Sequence, residues 1–146
     1  MIVLDTTVFI DALIPFTKDR HEKAISIINE VDKRSLILYE PKLFLIELAG
    51  VLSRFKNRMQ VMTHIKHISE HINILDYDEL HENALNISLL TGCRAMDAFF
   101  VATAEKTKSI LISCDRKMVI NSKRAGIESY YLIDDYDELM KRIGTL

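Results

Sequence analysis

The chain opens on an apolar run, Met1-Ile-Val-Leu4, which gives way to Asp5-Thr6-Thr7 before apolar residues resume at Val8-Phe-Ile10. Ile2 and Val3 in so short a run predict a buried strand, and the polar triplet stands where a helix should begin. Asp5 is therefore expected at a strand's carboxyl end. A short helix over 8–13 stops before Pro15, and Ala24, Ile25, Ile27, Ile28 and Val31 have helical spacing that predicts a second over 19–31. Residues 36–39 read as another strand. Glu40-Pro41 reads as a helix start with proline in the first turn, leading into a strongly apolar helix over 43–55 broken by one acid, Glu47.

The second half repeats the alternation. Val61, Met62, Ile65, Ile68 and Ile72 give a helix over 59–71 one apolar side, 73–75 is a short strand, and a helix from 76 ends near Gly92. Residues 94–107 form a helix with Phe99, Phe100, Val101 and Ala104 inward, and 109–113 is the clearest strand of this half, followed at once by Asp115. A helix over 117–125 ends at Gly126, and a strand over 130–133 and a helix over 137–143 complete the chain. Strands alternating with helices imply an α/β domain with a mostly parallel sheet. Such a sheet leaves one place for ligands, the crevice outside the carboxyl ends of its strands.

Length and composition narrow the classes. At 146 residues and 49% apolar content the chain is expected to be one domain, 1–146, with a full core. Nineteen Lys and Arg against 21 Asp and Glu leave a net charge of −2, so any nucleic-acid contact must use locally clustered bases rather than a global basic field. No apolar stretch approaches the roughly 20 residues that span a bilayer, and no basic segment or small-residue cleavage site marks the first ten residues. The expectation is a cytoplasmic protein without a membrane partner. Cys93 and Cys114 have neither C-x-x-C spacing nor further partners, and are expected as two buried thiols.

Most acids fall on polar helix faces or in first turns, where solvation explains them. The motif Asp-Tyr-Asp-Glu-Leu occurs at 76–80 and again at 135–139, each time with acids at capping-box spacing, so capping accounts for both copies and a cation role for Asp134, Asp135 and Asp137 is the sharper alternative. His64, His67 and His71 read as a partly solvated helix face rather than a metal site, since no carboxylate or thiol is interleaved.

Four acids do not fit such readings. Asp5 and Asp115 follow apolar strands, Glu47 lies on its helix's apolar stripe beside Leu43, Phe44 and Val51, and Asp97 precedes Phe100 and Val101 by three and four residues and so points inward. Each alone could be a cap or a core ion pair, Asp97 with the neighbouring Arg94. Four inward carboxylates share too few bases to pair, and a divalent cation relieves their repulsion. Ligands that are all oxygen suit Mg²⁺ or Mn²⁺ rather than Zn²⁺. Such sites commonly serve phosphodiester cleavage.

Val3-Leu-Asp5-Thr6-Thr7-Val8, Glu47 in its apolar helix, Arg94-Ala-Met-Asp97-Ala-Phe-Phe-Val-Ala-Thr-Ala104 and Leu111-Ile-Ser113-Cys-Asp115, in this order, resemble the PIN-domain nucleases, and within them the small stand-alone VapC-type toxins. The resemblance spans nearly the whole chain. It implies a three-layer α/β/α sandwich, Mg²⁺- or Mn²⁺-dependent endoribonuclease activity, a homodimer, and an antitoxin whose tail occupies the active site. Asp5, Glu47, Asp97 and Asp115 match the family's acidic quartet, Thr7 its small polar residue after the first Asp, and Ser113 the hydroxyl before the last. Cys114 and Met118 depart from the polar and aromatic residues usual at their positions.

On this reading Asp5, Asp97 and Asp115 ligate the metal, and Glu47 ligates it or orients the attacking water. Thr7 or Ser113 fixes a carboxylate or a phosphate oxygen. Arg94 and Arg116, with Lys117, Lys123 and Arg124, are candidates to hold RNA phosphates, with solvated surface charge as the plainer alternative. A HAD-type phosphatase would need an acid where Thr7 stands, and a receiver domain an adjacent acidic pair. A housekeeping RNA-processing nuclease and a PIN-like module that binds RNA or protein without cleaving it stay open. A neighbouring antitoxin gene would favour the toxin, and an absence of Mg²⁺- or Mn²⁺-dependent cleavage would favour the module.

Overall fold

The computed structural model describes residues 1–146. Its elements run β1 (Ile2–Leu4), α1 (Thr6–Leu13), α2 (Lys18–Lys33), β2 (Tyr39–Pro41), α3 (Leu43–Leu52), α4 (Arg58–Ser69), β3 (Asn73–Leu75), α5 (Tyr77–Thr91), α6 (Ala95–Thr107), β4 (Ile110–Ser113), α7 (Arg116–Arg124), β5 (Ser129–Tyr131) and α8 (Tyr136–Ile143). All pairings are parallel: β1 with β4, β4 with β5, and β2 with β3. An Ile2–Leu38 bridge links β1 to the second pair, giving the order β3-β2-β1-β4-β5. Parallel strands need crossover helices, and here α1 with α2 to α4 and α8 form one layer while α5, α6 and α7 form the other. The result is the expected three-layer α/β/α architecture.

The apolar run at the N-terminus is buried throughout: Ile2, Val3 and Leu4 have no exposed surface. Burial on both faces explains why a strand of three residues holds the centre of the sheet. Beside it a chain of rings, Phe9–Phe44 with centroids 4.8 Å apart and Phe44–Phe100 at 6.4 Å, locks α1, α3 and α6 to one another. Phe44 stands one turn before Glu47 and Phe100 one turn after Asp97, so this packing aims both acids. Gly92, at φ 69°, closes α5 in the left-handed conformation that a side chain resists, and the chain bends by 116° into α6.

Three local readings are corrected. Glu40-Pro41 ends β2 instead of starting a helix: Glu40 pairs with Ile74 and Pro41 with Leu75, and Lys42 N–H still bonds to Leu75 O at 2.9 Å. Proline is tolerated because it closes the strand, where its missing N–H costs least. Cys93 is only half-buried, while Cys114 is fully buried, and burial pushes the Cys114 thiol up, out of the range where it would act as a nucleophile. The two Asp-Tyr-Asp-Glu-Leu copies differ. Asp76 and Glu79 form the expected capping box, but Asp135 turns back to accept from Tyr131 N–H at 2.9 Å. The histidine face is as expected, with His67 and His71 exposed and their rings in tilted contact, centroids 4.6 Å apart. No single helix is long and apolar enough to cross a membrane.

Candidate active site

The strand order reverses direction between β1 and β4: from β1 the chain proceeds to β2 on one side, while β4 lies on the other. The register sets Leu4 opposite Ile112, and Asp5 N–H bonds to Ile112 O at 2.9 Å. Asp5 and Ser113 are thereby neighbours at the mouth of the switch point, the position where open α/β sheets bind ligands.

Asp5 precedes α1 without capping it; its side chain makes no bond to the helix's free N–H groups. Its Oδ2 instead accepts two hydroxyls, Thr7 Oγ1 at 2.6 Å and Ser113 Oγ at 2.6 Å. Neither hydroxyl is idle elsewhere. Thr7 Oγ1 also accepts from Cys114 N–H at 3.0 Å, and Ser113 Oγ accepts from Asp115 N–H at 2.8 Å. Both hydroxyls therefore turn their protons toward Asp5, and no protein donor reaches its Oδ1. Burial pushes Asp5 up to about 6; the two hydroxyls pull it down, and the negative charges of Glu47 and Asp97 push it up.

The other three acids arrive from separate elements. Thr6 donates to Glu47 Oε2 from the first turn of α1, holding a half-buried carboxylate against that helix. Asp97, in the first turn of α6 and 8% exposed, faces Arg94 Nε at 3.2 Å and Nη2 at 3.3 Å. Asp115 caps α7, its Oδ1 accepting from Lys117 N–H at 2.8 Å and Met118 N–H at 3.4 Å. Its Oδ2 lies 3.8 Å from Arg94 Nη2. The guanidinium of Arg94 thus bridges two of the four carboxylates from a side chain that is 78% exposed. Asp5 feels Glu47 and Asp97, and Arg94 feels Asp97, Asp115 and Glu47, so the quartet shares one electrostatic neighbourhood.

No three His, Cys, Asp or Glu side chains are gathered into a ready coordination shell. Hydrogen bonds explain why: Thr6 holds Glu47, and Arg94 draws Asp97 and Asp115 to itself. The donor chemistry still suits a hard dication, with four carboxylates from four elements and one oxygen of Asp5 free of protein donors.

Among the other expected site residues, Arg116 stays apart from the quartet. It pairs with Asp134 at 2.6 Å and lies over the Tyr131 ring at 4.5 Å. Three residues emerge that the sequence did not single out. Thr6 was overshadowed by Thr7. Asp11, 4% exposed and held by Arg20 at 2.8 Å, looks from sequence like any helical acid. Glu40 is fully buried next to β1, its Oε1 accepting from Leu4 N–H at 2.9 Å in place of a ladder bond while Oε2 has no partner. Strand alternation of Leu38 with Glu40 was the available signal.

Solved structures share this architecture. PAE2754 from Pyrobaculum aerophilum aligns at 16% identity with a TM-score of 0.66, covering 99% of this chain and 90% of that one. FitAcB from Neisseria gonorrhoeae aligns at 18% identity and 0.66, covering 90% and 98%. FitAB bound to an IR36 DNA fragment aligns at 18% and 0.63, covering 89% and 94%. No curated protein matches the sequence. The family model of the PIN domain matches residues 2–123, a span that contains the switch-point Asp5 and every acid grouped with it, and the chain belongs to the PIN domain family.

Proposed function

We propose that the chain is a metal-dependent endoribonuclease that hydrolyses RNA phosphodiester bonds, and that it is the toxin of a toxin–antitoxin pair. The observation that supports the reading is the electrostatic neighbourhood shared by Asp5, Glu47, Asp97 and Asp115, with Asp5 buried at the switch point and oriented by two hydroxyls. Asp5, Asp97 and Asp115 would hold Mg²⁺ or Mn²⁺, and Glu47 would share it or orient the attacking water. When bound, such a cation offsets the clustered negative charge, acidifies water and stabilises the leaving oxygen.

The protein's own groups have distinct tasks. Thr7 and Ser113 fix the carboxylate of Asp5 rather than a phosphate oxygen, since both protons are committed to it. Thr6 keeps the Glu47 carboxylate pointed at α1. Arg94, largely exposed beside Asp97 and Asp115, would hold an RNA phosphate next to the acids. Leu85, Leu89 and Leu90 are exposed on α5 and support a homodimer. The toxin reading rests on the resemblance to VapC-type chains, and one structural neighbour, FitAB, is itself bound to nucleic acid.

A second reading, a module that binds without cleaving, is favoured by the bridge Arg94 makes between Asp97 and Asp115 and by the unformed coordination shell. Incubating the wild-type chain with RNA under Mg²⁺ or Mn²⁺, then with excess chelator, separates the two. The nuclease cuts in the first case and stops in the second; the module leaves RNA intact in both.

A further inference from the structure

Beside the acids lies a pocket of about 380 Å³, bounded by Thr6, Thr7 and Glu47 on one side and by Phe16, Thr17 and Arg20 on the other. That volume falls in the range that encloses small organic groups. Phe16, 54% exposed, lines the pocket and meets Phe55 edge-to-face, with centroids 5.2 Å apart and planes at 74°. The rings come from different segments and meet nearly perpendicular, so Phe55 braces Phe16, and Phe16 alone presents its ring to the pocket while each stays about half exposed. The polar groups on this wall are available. Thr17 starts α2 without a side-chain cap bond, and Arg20 spends Nε and Nη2 on Asp11 while Nη1 has no partner.

We propose that this pocket takes one unpaired nucleobase of the RNA strand next to the bond that is cut, stacked on Phe16, with Thr17 and Arg20 reading its polar edge. The inference rests on the nuclease reading, because Glu47 and Thr7 belong both to the pocket and to the acidic site, so a base seated here has its phosphate at the carboxylates. A stacking platform with a few fixed polar groups is how single-stranded RNA is held, whereas a duplex cannot offer a base to a pocket. The Asp11 carboxylate neutralises Arg20 and holds its guanidinium in place, which favours a neutral base edge over a second phosphate at this point.

The test is steady-state cleavage of a single-stranded oligoribonucleotide by the wild-type chain and by Phe16→Ala, Phe16→Tyr and Phe55→Ala, with an abasic residue stepped through the positions flanking the cut. Loss of one stacked base should raise KM about tenfold with kcat little changed in Phe16→Ala, less in Phe55→Ala, and hardly at all in Phe16→Tyr. One abasic position should reproduce the Phe16→Ala loss in the wild type and add nothing in that variant. Equal KM values across the series, or abasic penalties that add fully to Phe16→Ala, would overturn the pocket. Oligonucleotide binding, followed by anisotropy of a labelled strand, keeps the two readings apart. Phe16-dependent binding without any cleavage retains the pocket and removes the nuclease, while cleavage indifferent to Phe16 does the reverse. Phe16→Ala that binds and cuts RNA normally but no longer retains a co-purifying protein would assign the pocket to a protein segment and overturn the proposal.

Discussion

The Ser113 hydroxyl stands 2.6 Å from Oδ2 of Asp5, joining two side chains 108 positions apart and tying the end of β4 to the end of β1. The bond steadies the ionised form of a buried acid. Ser113→Ala removes it and pushes Asp5 above its present value near 6. Mn²⁺ binding by titration calorimetry at neutral pH should weaken about tenfold, with the acid limb of its pH profile displaced upward. An unshifted profile would mean the hydroxyl serves only the backbone of Asp115.

Asp5 also costs stability when no cation is bound. Its folded value of about 6 exceeds the ordinary 3.8, so its favourable contribution is complete below about 3.8 and is lost as pH rises through 6. The difference is on the order of 3 kcal/mol. Asp5→Asn should therefore melt higher than the wild type at pH 7 without metal, show a flatter curve of Tm against pH between 4 and 7, and gain nothing from added Mn²⁺. Equal melting of the two proteins at pH 7 would show that the pocket solvates this carboxylate.

Glu40 follows the same sign from a deeper position. Full burial, with the charge of Asp5 adding to it, holds its carboxyl well above the ordinary 4.5, and Oε2 is unpartnered. Its stabilising effect is present below 4.5 and lost as pH rises through the elevated folded value. Glu40→Gln keeps the acceptor for Leu4 N–H and should flatten thermal unfolding on the alkaline side. Glu40→Leu strands that N–H and should cost about 1–3 kcal/mol at every pH.

On the proposed reading Arg94 would compete with a cation for the same carboxylates. Because its side chain is 78% exposed, its bonds to Asp97 and Asp115 add little to stability. Arg94→Gln should leave Tm within about a degree or two, tighten Mn²⁺ binding severalfold, and raise KM for RNA. Weaker Mn²⁺ binding in this variant would show that Arg94 organises the acids and does not screen them.

The sheet and the burial of Asp5 and Asp97 were legible because both depend on short-range signals: an apolar run ending in Asp5, another ending just before Asp115, and helical spacing that turns Asp97 inward. What escaped depends on contacts between distant segments. Glu40-Pro41 looks like a helix start until β3 pairs with it, and the burial of Glu40 follows from β1 lying alongside. Asp135 opens the same motif as Asp76 yet bonds to Tyr131, because a turn separates it from the end of β5 and folds it back on that strand, where its N–H also meets Tyr131 O at 2.9 Å. Likewise, nothing local shows that Arg94 reaches Asp115, 21 positions on, or that Arg116 is held by Asp134.

The most direct test of the central claim is the rate of RNA cleavage by Asp97→Asn under saturating Mn²⁺, beside the wild type and with the variant's Tm confirming its fold. The substitution keeps the side chain's shape and removes one anionic oxygen pair from the quartet. A fall of at least about a hundredfold is expected if the four carboxylates act through a shared cation. Cleavage at the wild-type rate would contradict it.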